Sequence, residues 1–174
     1  MLISPEYRKE MESQHEKGKF GGAARHCSII INQLIEQKGI THLLDYGCGK
    51  KQILRQHLKP TDGFRYQAYD PGVPKCSGDP IPAEFVVACD VLEHIEPQCI
   101  DDVLDHIESL TEGFFYATIS TSEAKKKLSD GRNAHVIQQP MEWWLPKIWE
   151  RMSLQSYIRH PEGFVVIASK GLSL

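Results

Sequence analysis

The sequence predicts an α/β chain whose sheet is mostly parallel and closes on an antiparallel C-terminal hairpin. Three observations point there. Short apolar runs end on an acid at Asp45, Asp70 and Asp90; segments with helical spacing of apolar residues separate them; and the first run passes straight into two glycines one residue apart, Asp45-Tyr-Gly47-Cys-Gly49. Strands that alternate with helices favour parallel pairing with helices on both faces. In such sheets ligands sit beyond the carboxyl ends of the strands, near the switch in strand order, which is where all three acids fall.

Taken in order, residues 4–17 are charged and permissive of helix, with Ser4 before Pro5 as a cap and first-turn pair. Gly18 and the Gly21-Gly22 pair then break the chain. A second helix follows, with Ala23, Cys27, Ile30, Ile31, Leu34 and Ile35 as one apolar stripe and Gly39 as its stop. Residues 41–45 are the first strand, 51–58 a short helix closed by Pro60 and Asp62-Gly63, and 64–69 the second strand. The stretch 71–82 holds four prolines and two glycines and reads as a loop where an α/β chain ordinarily places a helix and a strand. The fold is therefore abbreviated between the second strand and the fourth strand position, with Cys76-Ser-Gly-Asp79 at most a vestige of the missing one. Residues 84–89 form a buried strand, 97–110 a helix, 113–120 a strand, 140–152 a Trp-rich helix, and 154–158 with 164–168 the closing hairpin around Pro161-Glu-Gly163. Residues 121–138 are polar and irregular, and the segment from Ser120 to Gln139, with Gly131 and Asn133 as flexible points, reads either as a lid facing the acceptor side or as an ordered surface loop, while the N-terminal helix with its glycine hinge is placed to close the ligand from the other side.

At 174 residues the chain is expected to be one domain, 1–174, with N-terminal helices (1–39), a ligand-binding core (40–120) and an acceptor-side loop, helix and hairpin (121–174). A chain of that size buries roughly two thirds of its unfolded surface without disulfide staples. The five cysteines form no C-x-x-C pair and are odd in number, which favours a reducing compartment. The polar start is unlike a secretory leader, and no apolar run approaches the ~20 residues that span a bilayer. Together these predict a cytoplasmic protein with no membrane partner. A net charge of −3 supplies no global field for nucleic acid, and Lys125-Lys126-Lys127 with Arg132 is at most a local anionic contact.

Glycines 47 and 49 permit a tight turn and close approach of backbone to ligand. Asp45 beside them suits a ligand bearing an ammonium group and would repel a pyrophosphate. Asp70 is placed to accept two hydrogen bonds from a ribose diol. A dinucleotide fold wants G-x-G-x-x-G, and Gly47-Cys-Gly49-Lys-Lys-Gln52 lacks the last glycine. Asp45-x-Gly47-x-Gly49, Asp70 and Asp90-Val-Leu-Glu-His94 resemble the cofactor motifs of class I S-adenosylmethionine-dependent methyltransferases, over about residues 40–120. That resemblance implies a Rossmann-like methyltransferase sheet and S-adenosylmethionine as cofactor, leaving as S-adenosylhomocysteine. It implies cofactor contacts from Asp45, Gly47, Cys48, Gly49, Asp70, Pro71, Asp79 and Asp90: the glycines under the methionine part, Asp45 to its amino group through water, Asp70 to the ribose, Asp79 to the adenine. The third glycine common in such turns is replaced by Lys51. In the tail, Ser120-Thr-Ser, the run from Leu128 to His135 and Glu142-Trp-Trp-Leu145 are similar to a small group of bacterial and phage-type methyltransferase-domain proteins with no assigned acceptor.

Asp90, Glu93 and His94 follow a strand, and His135 sits in the segment that arches over the same sheet end. His94, His135 and Glu93 are the candidate catalytic residues, as general base or as groups that position the acceptor. The same acids and imidazoles form a set able to hold a divalent ion, a pattern similar to that of small-RNA 3′-terminal 2′-O-methyltransferases. Trp143 and Trp144, with Trp149, offer either an aromatic platform for a planar acceptor or core packing, and the spacing of Trp144, Leu145 and Ile148 supports burial. The expected reaction is methyl transfer to an oxygen or nitrogen nucleophile of a small molecule. RNA, or a non-catalytic role as an S-adenosylmethionine-binding interaction protein, are the alternatives.

Overall fold

The computed structural model describes residues 1–18 and 24–171. The Gly21-Gly22 pair and Ala23 lie outside the described residues. Strands β1 (His42–Tyr46), β2 (Arg65–Tyr69), β3 (Ala83–Cys89), β4 (Thr111–Ser120), β5 (Ser153–His160) and β6 (Gly163–Ser169) form one sheet in the order β2-β1-β3-β4-β6-β5. The first four are mutually parallel; β6 runs antiparallel to both β4 and β5. The mostly parallel sheet and its antiparallel hairpin are thus as the sequence predicts.

Both faces of the central strands are buried, so alternate residues serve opposite layers. Leu43, Phe85, Val87 and Tyr116 pack with Ile31 and Ile35 of α2 (Ala24–Lys38) and Leu54 of α3 (Ile53–His57). Leu44, Val86 and Phe115 pack on the other side with α4 (Ile100–Leu110) and α5 (Met141–Trp149). Helix α4 turns Ile100, Val103, Leu104, Ile107 and Leu110 inward at helical spacing. Each such side chain stabilises the fold by about 1.5–3 kcal/mol. Trp144 and Ile148 are fully buried in the same layer, so the α5 tryptophan is core.

Between β2 and β3 the chain makes only a 3-10 turn, Pro74–Cys76, and no strand among the described residues. Four prolines withhold the ladder donors a strand needs. The backbone instead closes on itself, with Asp70 N–H donating to the Cys76 carbonyl at 2.9 Å and Val73 N–H to that of Asp70 at 3.0 Å. Cys76 to Asp79 are consequently not even a vestigial strand. All five cysteines are free and buried. Among the described residues no helix is long and apolar enough to cross a membrane.

Helix α1 (Pro5–Glu16) lies across the carboxyl end of the sheet. Ser4 caps it, its Oγ accepting from Tyr7 N–H at 3.2 Å. The same residue binds the Glu96 carboxylate through its N–H and Oγ, both at 2.8 Å, and Tyr7 Oη donates to the His94 carbonyl at 2.7 Å. On its other side Tyr7 and Met11 pack with Leu128 and Ala134 of the irregular segment 121–138, and Glu10 accepts from Ser129 N–H at 2.8 Å. The helix therefore bridges the loop after β3 and the segment after β4.

Candidate active site

The glycine turn after β1 is bent against the end of β2. The N–H groups of Gly47 and Cys48 both donate to the Tyr69 carbonyl, at 2.7 and 3.1 Å. Gly47 has φ +79°, and a Cβ there would lie 2.5 Å from Val91 Cγ2. Both conditions demand glycine. Helix α3 starts late: Lys51, where a third glycine is common, is followed by Gln52 at φ +45°, and the helix begins only at Ile53.

Around this turn lies a largely apolar cleft. Asp45 is 3% exposed at its edge and its Oδ2 accepts from Tyr66 Oη at 2.5 Å. Burial pushes its carboxyl up to about 7, against the opposing pull of the Tyr66 hydrogen bond. Asp70 faces it from the end of β2. Its Oδ2 accepts from Gly49 N–H at 3.0 Å, its Oδ1 from Gly72 N–H at 2.9 Å, and His15 Nε2 lies 3.7 Å from Oδ2. Burial raises Asp70 too, with His15 and the two amides working against the shift. The cleft roof comes from the N-terminus, through Ile3, Tyr7, Met11 and His15. Met11 closes onto Gly72, where an added Cβ would sit 2.7 Å from the Met11 Cβ.

Asp90 and His94 also line a second cleft, whose walls include Thr118, Ser122, Lys125, Lys126 and His135. Asp90 holds the left-handed conformation, φ +59°, its N–H shared between the Thr118 carbonyl at 3.2 Å and Oγ1 at 3.0 Å. Such a backbone in a non-glycine residue costs of order 1 kcal/mol or more and concentrates at functional sites. His94 Nδ1 lies 2.7 Å from the Ala134 carbonyl, His135 Nδ1 2.7 Å from the Ser122 carbonyl, and the two rings meet edge to face with centroids 4.9 Å apart. A carbonyl only accepts, so each Nδ1 carries the proton and each Nε2 the lone pair. Burial pushes His94 down to about 4, so it is neutral at pH 7.

Of the residues the sequence singled out, Asp45, Gly47, Cys48, Gly49, Asp70, Pro71, Asp90 and His94 all line the first cleft, and His135 lines the second. Asp79 is exposed and lines neither, because the proline turn carries it away. Glu93 is fully buried behind the site. Its Oε1 accepts from Ser120 N–H at 2.6 Å, Oε2 finds no hydrogen-bond partner among the described residues, and burial with the neighbouring Asp90 charge raises its carboxyl well above the ordinary range. Trp143, Trp144 and Trp149 border neither cleft. The sequence places the N-terminal helix over the ligand, as observed, but Tyr66 and the particular N-terminal side chains that line the cleft were missed. Ile3, Tyr7, Met11 and His15 do recur every four residues, which is a detectable helical line.

No protein-family model matches the sequence, and no curated protein matches it. Solved structures do share its fold. An O-methyltransferase family protein from Burkholderia thailandensis superposes with TM-score 0.63 at 12% identity over 87% of this chain and 57% of that one. The 1,6-didemethyltoxoflavin-N1-methyltransferase of the same organism, solved with 1,6-didemethyltoxoflavin and S-adenosylhomocysteine, superposes with TM-score 0.64 at 18% identity over 98% of this chain and 92% of that one. Magnesium protoporphyrin IX methyltransferase from Synechocystis PCC 6803, solved with SAH, gives TM-score 0.59 at 11% identity over 84% and 83%. The chain spans little more than half the length of the first of these. The likeness establishes a Rossmann-like methyltransferase fold.

Proposed function

We propose that the chain transfers the methyl group of S-adenosylmethionine to an oxygen or nitrogen nucleophile of a small molecule. One observation carries this reading: two clefts, one walled by Asp45, the glycine turn and Asp70, the other by polar side chains, meet at Asp90 and His94. A cofactor in the first would present its methyl to an acceptor in the second. Ionised Asp45 suits the cofactor's ammonium group. Each Asp70 oxygen has a second lone pair beyond the one its amide takes, so the carboxylate can also accept from the ribose hydroxyls.

In the step itself, the nucleophile's lone pair forms a bond to the methyl carbon as the C–S bond breaks and its electrons return to sulfur, giving S-adenosylhomocysteine. The acceptor's proton leaves to His94 or His135 Nε2. Holding the two reactants in line is the largest contribution, about 7–11 kcal/mol. The compounds named for two structural neighbours, 1,6-didemethyltoxoflavin and magnesium protoporphyrin IX, support a small molecule here. Lys125 and Lys126 on the acceptor wall are matched by Asp90, Glu123 and Glu162, so its charge does not favour an anion over a neutral acceptor, and RNA is kept as the second acceptor class only.

Calorimetric titration with S-adenosylmethionine and S-adenosylhomocysteine, with NAD as control, tests the reading. Saturable binding of both sulfur compounds is expected. Preference for NAD, or no binding of either, would sink it, whereas binding without turnover across an acceptor screen would point to a non-catalytic binding protein.

A further inference from the structure

We propose that Asp90, His94 and His135 together bind one divalent transition-metal ion, through a carboxylate oxygen and two imidazole Nε2 atoms, and that the ion takes the hydroxyl of the acceptor. A ligating atom from each of the three residues lies within 4.8 Å of those of the other two. Ligands around a single ion at about 2.0–2.2 Å sit roughly 3–4 Å apart, so only a small inward movement is required.

The surroundings fit a metal as well as the ligands do. Both imidazoles give their Nδ1–H to a backbone carbonyl, Ala134 for His94 and Ser122 for His135. That arrangement fixes the tautomer with Nε2 as donor and is the habitual support of a metal-binding histidine. Asp90 is held by its left-handed backbone and by Thr118. Behind it stands Glu93, fully buried, with Oε2 unpartnered among the described residues and Asp90 as its foremost charged neighbour. Two imidazoles with one carboxylate suit zinc, cobalt, nickel, iron or manganese better than magnesium, which prefers oxygen ligands and its own waters.

The site faces the acceptor cleft, so the positions that the protein leaves open fall to an acceptor oxygen. A divalent ion there would lower the pKa of a bound hydroxyl, so that its proton passes to solvent near neutral pH and the oxygen's lone pair is left to attack the methyl carbon as the C–S bond breaks. The imidazoles are then ligands rather than bases, and the acceptor narrows from oxygen or nitrogen to a hydroxyl. The ion's role in the reaction rests on the methyl-transfer reading; its binding does not.

The test uses the full chain, stripped with a chelator and titrated with Co²⁺ by visible absorption, then with Zn²⁺ in competition. One equivalent of Co²⁺ displaced by Zn²⁺ is expected, with His94→Ala and His135→Gln each weakening binding at least about tenfold and His57→Ala on α3 leaving it unchanged. Circular dichroism checks that the variants fold. Binding of less than one equivalent by the unmodified chain, or equal affinity in folded histidine variants, overturns the proposal. S-adenosylhomocysteine binding is measured on the same metal-free sample: if it persists while Co²⁺ binding is absent, only the ion falls, and if both are absent the methyltransferase reading falls with it.

Discussion

Asp45→Asn separates what the fold gains from Asp45 from what a ligand gains. The carboxyl is almost wholly buried and its folded-state value rises from the ordinary 3.8 to about 7. The folded chain therefore holds the proton more tightly than the unfolded one. The stability this contributes is fully present below pH about 4 and is lost as pH rises through 7, where the buried site must carry a charge. A shift of about three units corresponds to roughly 4 kcal/mol in full, of which about 2–3 kcal/mol is lost between pH 5 and pH 8. Asparagine has nearly the same shape, keeps an acceptor for Tyr66, and does not titrate. The charged or titratable groups around the site, Tyr66 on β2, Asp70 beyond it, and Cys48 and Cys89 on the turn and on β3, are common to both proteins, so the difference between them isolates Asp45. Urea unfolding at pH 5 and pH 8 should show the unmodified chain losing about 2–3 kcal/mol more than the variant, with the variant the more stable at pH 8. Cofactor binding should run the other way. If the ammonium requires ionised Asp45, only about one molecule in a hundred is competent at pH 5, so affinity should tighten by up to about a hundredfold towards pH 8, and the variant should bind weakly at both. Stability curves that stay parallel between pH 5 and pH 8 would refute the reasoning.

The other predictions concern neighbouring parts of the same site. Gly47→Ala combines a left-handed φ, costing about 1–2 kcal/mol, with a collision against Val91, costing about 1–3 kcal/mol; adding Val91→Ala should recover the second part only, read by denaturant midpoint. Tyr66→Phe removes the donor to a buried acid and should destabilise by about 1–3 kcal/mol while moving the pH at which the cofactor tightens upward. His135→Ala should leave S-adenosylhomocysteine affinity within a few-fold and lower methyl transfer by about 10²–10⁴, once an acceptor is in hand. Asp79→Ala should leave cofactor binding as it is by calorimetry, since the side chain is exposed and off the cleft.

The strand ends were legible because each announces itself twice, by an apolar run and by the acid that stops it; Asp45, Asp70 and Asp90 needed no tertiary information. Asp79 misled because order along the chain stood in for position in space, and a loop with four prolines does not carry its residues where a strand would. Glu93 misled for a geometric reason. Residues Leu92–His94 form a 3-10 turn, in which successive side chains point about 120° apart, so when His94 reaches the clefts its neighbour must turn into the core. Helix α1 was legible both as a helix and, from the glycines after it, as an element that closes the first cleft; which of its side chains do so was not. Three of its four sides are charged or polar, and the Tyr7, Met11, His15 line gains its meaning only once Gly72 lies beneath Met11.

That wall bears on how the two clefts communicate. One helix touches the surroundings of both clefts: its cap holds Glu96, Tyr7 holds the His94 carbonyl, Glu10 holds Ser129, and His15 stands beside Asp70. Met11 and His15 line the first cleft from this helix, so a ligand between α1 and the glycine turn lies against both. Tyr7 is on the same helix, shares a small core with Leu128 and Ala134, and holds the His94 carbonyl, while the Ala134 carbonyl takes the His94 Nδ1–H. Coupling of this kind requires no movement of the sheet, only a change in how α1 sits on Gly72. If the proposed roles of the two clefts hold, these contacts predict ordered binding, cofactor before acceptor, and product-inhibition kinetics in which the acceptor binds equally well to the cofactor-free protein would refute it.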